Sequence, residues 1–264
     1  SDTAATARWV STVAMPRLAW AQAMTTRVPD ADQTTLLMVR RIFDGFVSTG
    51  TLAGMREGRP FEVRLPAGAR RSLESDVSLV ALPRAIIHVR TFDLEGGVVL
   101  LRGVLARRPR EASAYHMLTV ALARQGKFDE ALEASAAAER ALPGTPAFAQ
   151  IRSRVETARG LATRPASTPR EAAMRDAEVQ LVLGAPEHAR RILDPVLTAM
   201  PVDHELVFLR AKVDVGDGRF DLAAQTIERA HAMAPDDPFF PMLAERLAAE
   251  EQSRAQARAE GARR

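Results

Sequence analysis

Apolar residues recur every three to four positions along most of this chain, a spacing typical of amphipathic α-helices. The pattern predicts a helix over 30–50, two helices on either side of Gly126, and a charged amphipathic helix over 146–160. Asp30 and Gln33 mark the start of the first helix, because such a pair satisfies free amides at a helix N-terminus. The sequence therefore predicts a mainly helical protein.

A stripe of apolar residues precedes the first helix. It consists of Trp9, Val13, Pro16, Trp20 and Met24. Pro16 divides the stripe into two helical pieces, because proline lacks the amide donor that a helix interior needs. We expect the stripe to pack on the following helix. The alternative is that it binds a membrane surface or a groove of a partner.

Two interpretations compete for residues 61–107, which follow the predicted helix at 30–50. Residues 61–65 alternate apolar and polar, which is the period of a short strand, and 86–89 is the candidate partner. Alternatively, 79–90 and 96–107 form a degenerate helix pair. Pro83 and the adjacent glycines at 96 and 97 weaken this second interpretation. The sequence leaves this choice open.

A helix–turn–helix unit is predicted over 112–145. Gly126 ends its first helix, because glycine accepts the left-handed backbone of a helix C-terminus at little cost. Its pattern is carried by Tyr115, Leu118, Leu122, Gly126, Phe128, Ala131, Ala138 and Pro143. Part of the pattern recurs further on, where Gly184, Ala189, Leu193 and Pro201 are followed 34 residues later by Gly218, Ala223, Ile227 and Pro235. Two more units are therefore predicted, over 170–203 and 204–237.

This spacing resembles the tetratricopeptide repeat (TPR), a helix–turn–helix unit of 34 residues. Thr119 departs from it, since the family has a small residue there, and Arg210 and Asp214 stand where large apolar or small residues are usual. Pro195 falls inside a predicted second helix, where we expect local kinking. The resemblance implies an all-α fold: an interrupted TPR-like helical solenoid with an N-terminal helical extension and room for one short β-hairpin.

The predicted domain organisation follows from these units. Turn-forming residues before Pro169 indicate a linker, and the apolar residues after Pro238 indicate a terminal helix that covers the last unit. The expected parts are an N-terminal extension at 1–76, TPR-like helices at 77–162 with the clear repeat at 112–145, a linker at 163–169, and two repeats with a capping helix at 170–264.

The TPR resemblance also implies a binding surface, because the first helices of such repeats line an inner face. The inward residues would be His116, Val120, Arg124, Met174, Glu178, Leu181, Phe208, Lys212 and Val215. Such a face could hold a peptide of another protein. We therefore expect a non-enzymatic adaptor, scaffold or assembly factor. The Lys/Asn clamp with which some members bind carboxylates is not visible.

Composition removes several classes of partner and site. The absence of cysteine excludes disulfides and thiolate metal sites, and no apolar run is long enough for a transmembrane segment. A net charge of +3 and 5% aromatic residues do not favour nucleic acid. The basic clusters at 56–71 and 102–110 lack the interleaved aromatics of a base-stacking surface. Compartment and oligomeric state stay open, with the cytoplasm slightly favoured over the periplasm.

Motifs of catalysis are not found. The five histidines are dispersed and are expected to be packing or surface residues, and Gly126-Lys127 lacks the rest of a phosphate-binding loop. Asp214, Asp217 and Asp221 lack calcium-loop spacing and predict an inter-helix turn and a helix start. Glycines at 50, 54 and 58 predict a flexible turn. We expect no metal and no cofactor. The alternatives are an N-terminal enzymatic or ligand-binding domain recruited by the repeats, and an assembly factor of the cell envelope or of secretion.

Overall fold

The computed structural model describes Ala21, Thr25 and residues 33–49, 51–56, 59–64 and 77–261. The chain divides into two compact units, Ser1–Ser153 and Arg154–Arg264, which we call unit 1 and unit 2. The predicted stripe from Trp9 to Met24 and the predicted capping residue Asp30 lie outside the described residues.

Unit 1 contains helices and one β-hairpin. Its described elements are α1 (Gln33–Thr49), β1 (Thr51–Arg56), β2 (Arg59–Arg64), a π-helical turn (Val77–Ala81), α2 (Leu82–Arg90), α3 (Leu94–Arg107), α4 (Ala112–Arg124) and α5 (Phe128–Ala141). The next helix, α6 (Pro146–Ala162), contains the division between the units.

The strand predicted at 61–65 is present, but its predicted partner is wrong. β2 pairs antiparallel with β1, from Thr51 opposite Arg64 to Arg56 opposite Arg59. The candidate partner 86–89 lies inside α2, and the glycine-containing segment predicted as a turn forms β1 instead. Strands that are adjacent in sequence close a short loop at little entropic cost, which favours this pairing over a distant one.

The degenerate helix pair is also present, as α2 and α3, which pack against each other. Asp93 caps α3 by accepting a hydrogen bond of 3.0 Å from the Gly96 amide. At Gly97, a Cβ atom would lie 2.6 Å from Cγ2 of Val89. The two glycines that counted against this pair in the sequence are therefore at the places where α3 makes its cap and approaches α2 most closely.

One turn recurs at the end of α4 and at two places in unit 2. Gly126, Gly184 and Gly218 have φ angles of 76°, 70° and 76°. After each glycine, the next amide donates to the carbonyl five residues earlier, at 3.0, 2.8 and 2.9 Å respectively. This closure satisfies carbonyls that the helix end leaves unpaired. The three turns predicted from glycine spacing are confirmed.

Unit 2 is a succession of helices in which each packs on the next. Following α6, they are α7 (Pro169–Val182), α8 (Pro186–Ala199), α9 (His204–Gly216), α10 (Phe220–Met233) and α11 (Phe239–Gly261). α8 continues through Pro195. Ala189 and Ala223, each five residues after a turn glycine, are fully buried and let the paired helices approach closely. The described residues thus confirm a TPR-like all-α helical repeat with one short hairpin. None of the described helices is both long and apolar enough to cross a membrane.

Candidate functional site

A groove in unit 2 is the candidate site, with a volume of about 660 Å³. Its walls come from four helices, and they comprise Leu181, Phe208, Ala211, Lys212, Val215, Gly216, Ile227, Leu243, Arg246, Leu247, Ala249, Glu250 and Arg254. The floor is apolar and buried, formed by Ala211, Val215, Ile227 and Leu243. Phe208 stands above it with 41% of its surface exposed. A large apolar side chain kept in water beside an apolar floor is typical of a binding site.

Helical periodicity brings these residues together. Phe208, Lys212 and Val215 are four and three residues apart, so they share one face of α9. Leu243 and Leu247 continue a similar stripe on α11. The hydrophobic core under the groove is a single cluster to which both helices contribute.

Arg254 fixes one wall of the groove. Its guanidinium donates to the Val215 carbonyl at 2.8 Å and to Glu250 at 2.7 Å, and it lies 5.4 Å from the centre of the Phe220 ring. The last carbonyls of a helix have no partner within the helix and carry partial negative charge. Arg254 therefore ties α11 to the end of α9 and holds the wall in place.

Four of the six residues predicted for this surface in unit 2 line the groove: Leu181, Phe208, Lys212 and Val215. Met174 instead packs against the core formed by α7, α8 and α9. The Glu178 carboxylate lies 3.8 Å from the Arg164 guanidinium.

The sequence prediction of a binding face did not include the charged residues that α11 contributes, because α11 was predicted only as a helix that covers the last unit. Glu250 and Arg254 extend the Leu243 and Leu247 stripe at helical spacing, and this continuation was the available signal.

The three residues predicted in unit 1 are not in one cavity. His116 lines a separate cavity of about 530 Å³ with Ile86, Met117 and other residues. Val120 is buried and Arg124 is half-buried on the same helix, and neither lines that cavity. Their part in a common binding face with unit 2 stays a prediction.

In unit 2 a basic residue contacts an aspartate twice, each time between the first and the last residue of a repeat. Arg170, in the first turn of α7, makes two hydrogen bonds of 2.8 Å to Asp203, the N-cap of α9. His204, at the start of α9, lies 2.6 Å from Asp237, just before α11. Hydrogen bonding from Arg170 lowers the pKa of Asp203. Each pair spans 33 residues, so the contact recurs with the repeat.

A buried ion pair lies between α8 and α9. Asp214 is fully buried, and Arg190 donates to it at 3.1 Å and to Glu187 and Asp217 at 2.8 Å. Burial raises the pKa of Asp214, although Arg210 and Arg190 oppose that effect. Asp214 was predicted as part of a turn, but it lies inside α9 and faces the core. Within the described residues, no group of three or more His, Cys, Asp or Glu could hold a metal ion.

A polar cluster in unit 1 surrounds His88, whose side chain is 8% exposed. Its Nε2 lies 2.9 Å from Asp44 on α1, and its Nδ1 lies 2.9 Å from Asp93 at the start of α3. With both nitrogens occupied by carboxylates, His88 joins α1, α2 and α3 and offers no ring atom to a substrate.

The two carboxyls of this cluster are shifted in the same direction. Burial would raise the pKa of Asp44, but hydrogen bonds from His88 and Arg84 outweigh it and hold that pKa well below its ordinary value. Burial also opposes the shift at Asp93, where a backbone amide, His88 and Arg40 lower the pKa.

Acid should therefore destabilise unit 1. Because both carboxyls have folded pKa values below their ordinary value of 3.8, the unfolded chain binds more protons in acid. Their contribution is complete above about pH 5 and is lost as the pH falls further. We expect Asp44→Asn to lower stability at neutral pH and to flatten the acid dependence, measured by urea unfolding followed by circular dichroism. Parallel pH profiles for the two proteins would contradict this.

Several solved structures of tetratricopeptide repeat proteins are weakly similar to this chain. No protein-family model matches the sequence, and no curated protein matches it. The P58(IPK) TPR domain is 12% identical over 91% of this chain and 79% of that one, with a TM-score of 0.31. A tetratricopeptide repeat protein from Parabacteroides merdae is 13% identical over 91% and 90%, with a TM-score of 0.36. A thermophilic TPR protein from Thermus thermophilus is 21% identical over 69% and 84%, with a TM-score of 0.28.

These values carry no functional argument. The class of the protein, a TPR-like helical repeat, rests on the recurring helix pairs and glycine turns of the chain itself.

Proposed function

We propose that this chain is a protein-interaction module that binds a segment of a partner protein in the groove of unit 2, as an adaptor, scaffold or assembly factor. The observation that carries the proposal is Phe208, which is 41% exposed over a buried apolar floor. Burying such a ring against a partner removes apolar surface from water, and a few anchors of this kind supply most of the affinity in protein interfaces.

A peptide selection tests this function. The full chain is immobilised and random linear peptides displayed on phage are selected on it, after which the affinity of the enriched peptides is measured by fluorescence polarisation. We expect Phe208→Ala to weaken binding by about thirtyfold, the size of an interface hot spot. Because much of the Phe208 side chain is exposed to solvent, its removal costs little packing in the core, and the variant should keep its circular dichroism spectrum.

Met233→Ala is the matched control. Met233 is 58% exposed on α10 and does not line the groove, so its removal should leave binding unchanged. Failure to enrich any peptide, or equal effects of the two variants, would remove the groove from consideration as the binding site.

A further inference from the structure

The walls of the unit 2 groove carry an excess of positive charge. Three cations, Lys212, Arg246 and Arg254, face one anion, Glu250. Arg254 and Glu250 neutralise each other at 2.7 Å, and Arg254 is further engaged by the Val215 carbonyl. The charge that remains for a ligand therefore belongs to Lys212 and Arg246.

Lys212 and Arg246 are both exposed, and neither makes an ion pair with any residue in the described part of the chain. Several other arginines of unit 2 do have carboxylate partners, among them Arg170, Arg190 and Arg210. The charges of those arginines are paired within the fold, whereas the charges of Lys212 and Arg246 stay available to a partner.

Both cations are interleaved with the apolar surface. Lys212 is one helical turn after Phe208 on α9, and Arg246 lies between Leu243 and Leu247 on α11. A ligand that covers the apolar floor must therefore place groups beside these cations. Apolar or basic groups placed there would displace water from the two cations without replacing their hydration. Carboxylates would compensate for the lost hydration by pairing with the cations.

We infer that the segment bound in this groove is an acidic amphipathic peptide, with a large apolar side chain packed beside Phe208 and carboxylates paired with Lys212 and Arg246. This inference rests on the proposed function and specifies the chemistry of the partner. Exposed pairs of this kind contribute modestly to affinity, speed association, and are screened by salt.

The test uses the phage-selected peptides on the full chain. We expect the enriched pool to contain more Asp and Glu than the starting library, together with large apolar residues. One enriched peptide is then made in three forms, with its acids intact, replaced by the neutral amides, or replaced by lysine. Affinity should fall in that order. Salt should weaken binding of the acidic form, strengthen binding of the lysine form and leave the neutral form unchanged.

Charge reversal in the protein completes the test. Lys212→Glu with Arg246→Glu should weaken the acidic peptide about tenfold or more at low salt. The matched control is Lys127→Glu with Arg229→Glu, which makes the same change of net charge at two exposed cations that do not line the groove. The control should bind as the unaltered chain does.

The possible failures are distinct. If peptides bind and Phe208→Ala weakens them, but acids are not enriched and charge reversal has no effect, the groove function stands and the acidic preference is overturned. If no peptide binds, both fall. Self-association in sedimentation that Phe208→Ala abolishes would assign the groove to a second copy of this chain and would also overturn the inference.

Discussion

Asp214→Ala should destabilise unit 2 by about 3 kcal/mol, a large effect for one side chain. Asp214 is fully buried and accepts from Arg190, whose side chain is 6% exposed. Removing the carboxylate leaves part of a buried guanidinium without its partner, and a charge in such surroundings cannot recover its hydration.

Hydrogen exchange followed by mass spectrometry suits this measurement, because it reports the opening of α8 and α9 separately from the rest of the chain. The control is Asp194→Ala. Asp194 pairs with Arg210, but its side chain is 54% exposed, so we expect a loss below about 1 kcal/mol. Equal losses for the two variants would show that burial of the pair does not matter.

A second variant separates the ion pair from simple packing. Arg190→Met combined with Asp214→Leu removes both charges and should recover most of the lost stability, because burial already opposes the ionised form of Asp214. The carboxylates that Arg190 leaves behind keep a cation, since Arg219 lies 3.1 Å from Asp217 and 3.7 Å from Glu187. Arg210, which lies 3.0 Å from Asp214, keeps its contact with Asp194. A double variant as unstable as Asp214→Ala would contradict this account.

Gly97→Ala should destabilise the α2–α3 pair by about 1–3 kcal/mol, because the added methyl group overpacks the contact. Its Cβ would lie 2.6 Å from Cγ2 and 3.3 Å from the backbone nitrogen of Val89, which is fully buried on α2. A buried β-branched side chain has few alternative rotamers, so the helices themselves must separate.

Gly103→Ala on the same helix is the matched control. Beyond the neighbouring residues and backbone of its own helix, no atom lies within 4 Å of a Cβ placed there, and alanine is a better helix former than glycine. We expect this variant to gain up to about 1 kcal/mol. Urea unfolding followed by circular dichroism compares the two, and a stabilising Gly97→Ala would show that the contact with Val89 yields easily.

Local signals made the helical repeat predictable from the sequence. Glycine at a left-handed turn and an alanine five residues later are properties of short segments, and both recur at the repeat length. The sequence therefore located the turns at Gly126, Gly184 and Gly218. The resemblance to the TPR likewise implied that Phe208 and Lys212 face a binding surface, and both line the groove.

Contacts between distant segments were not predictable in the same way. Arg190 and Asp214 are 24 residues apart, and Asp214 alone looks like a departure from the repeat pattern. A buried carboxylate at position 214 makes physical sense only together with the guanidinium of Arg190 that contacts it. The pairing of β2 with β1 was missed because glycines at 50, 54 and 58 suggested a turn. The contact of Met174 with the core was not foreseen because it depends on neighbouring helices.

Each of the two repeats in unit 2 has a side-chain contact between its first residue and its last. Arg170, the first residue of the repeat 170–203, binds Asp203 at the end of that repeat, and His204, the first residue of the repeat 204–237, lies beside Asp237 at the end of that one. A tandem duplication of residues 204–237 would form the same side-chain contact again, with a second His204 beside a second Asp237. Arrays of this protein could therefore be lengthened by whole units while every added unit keeps its contact between a histidine and an aspartate.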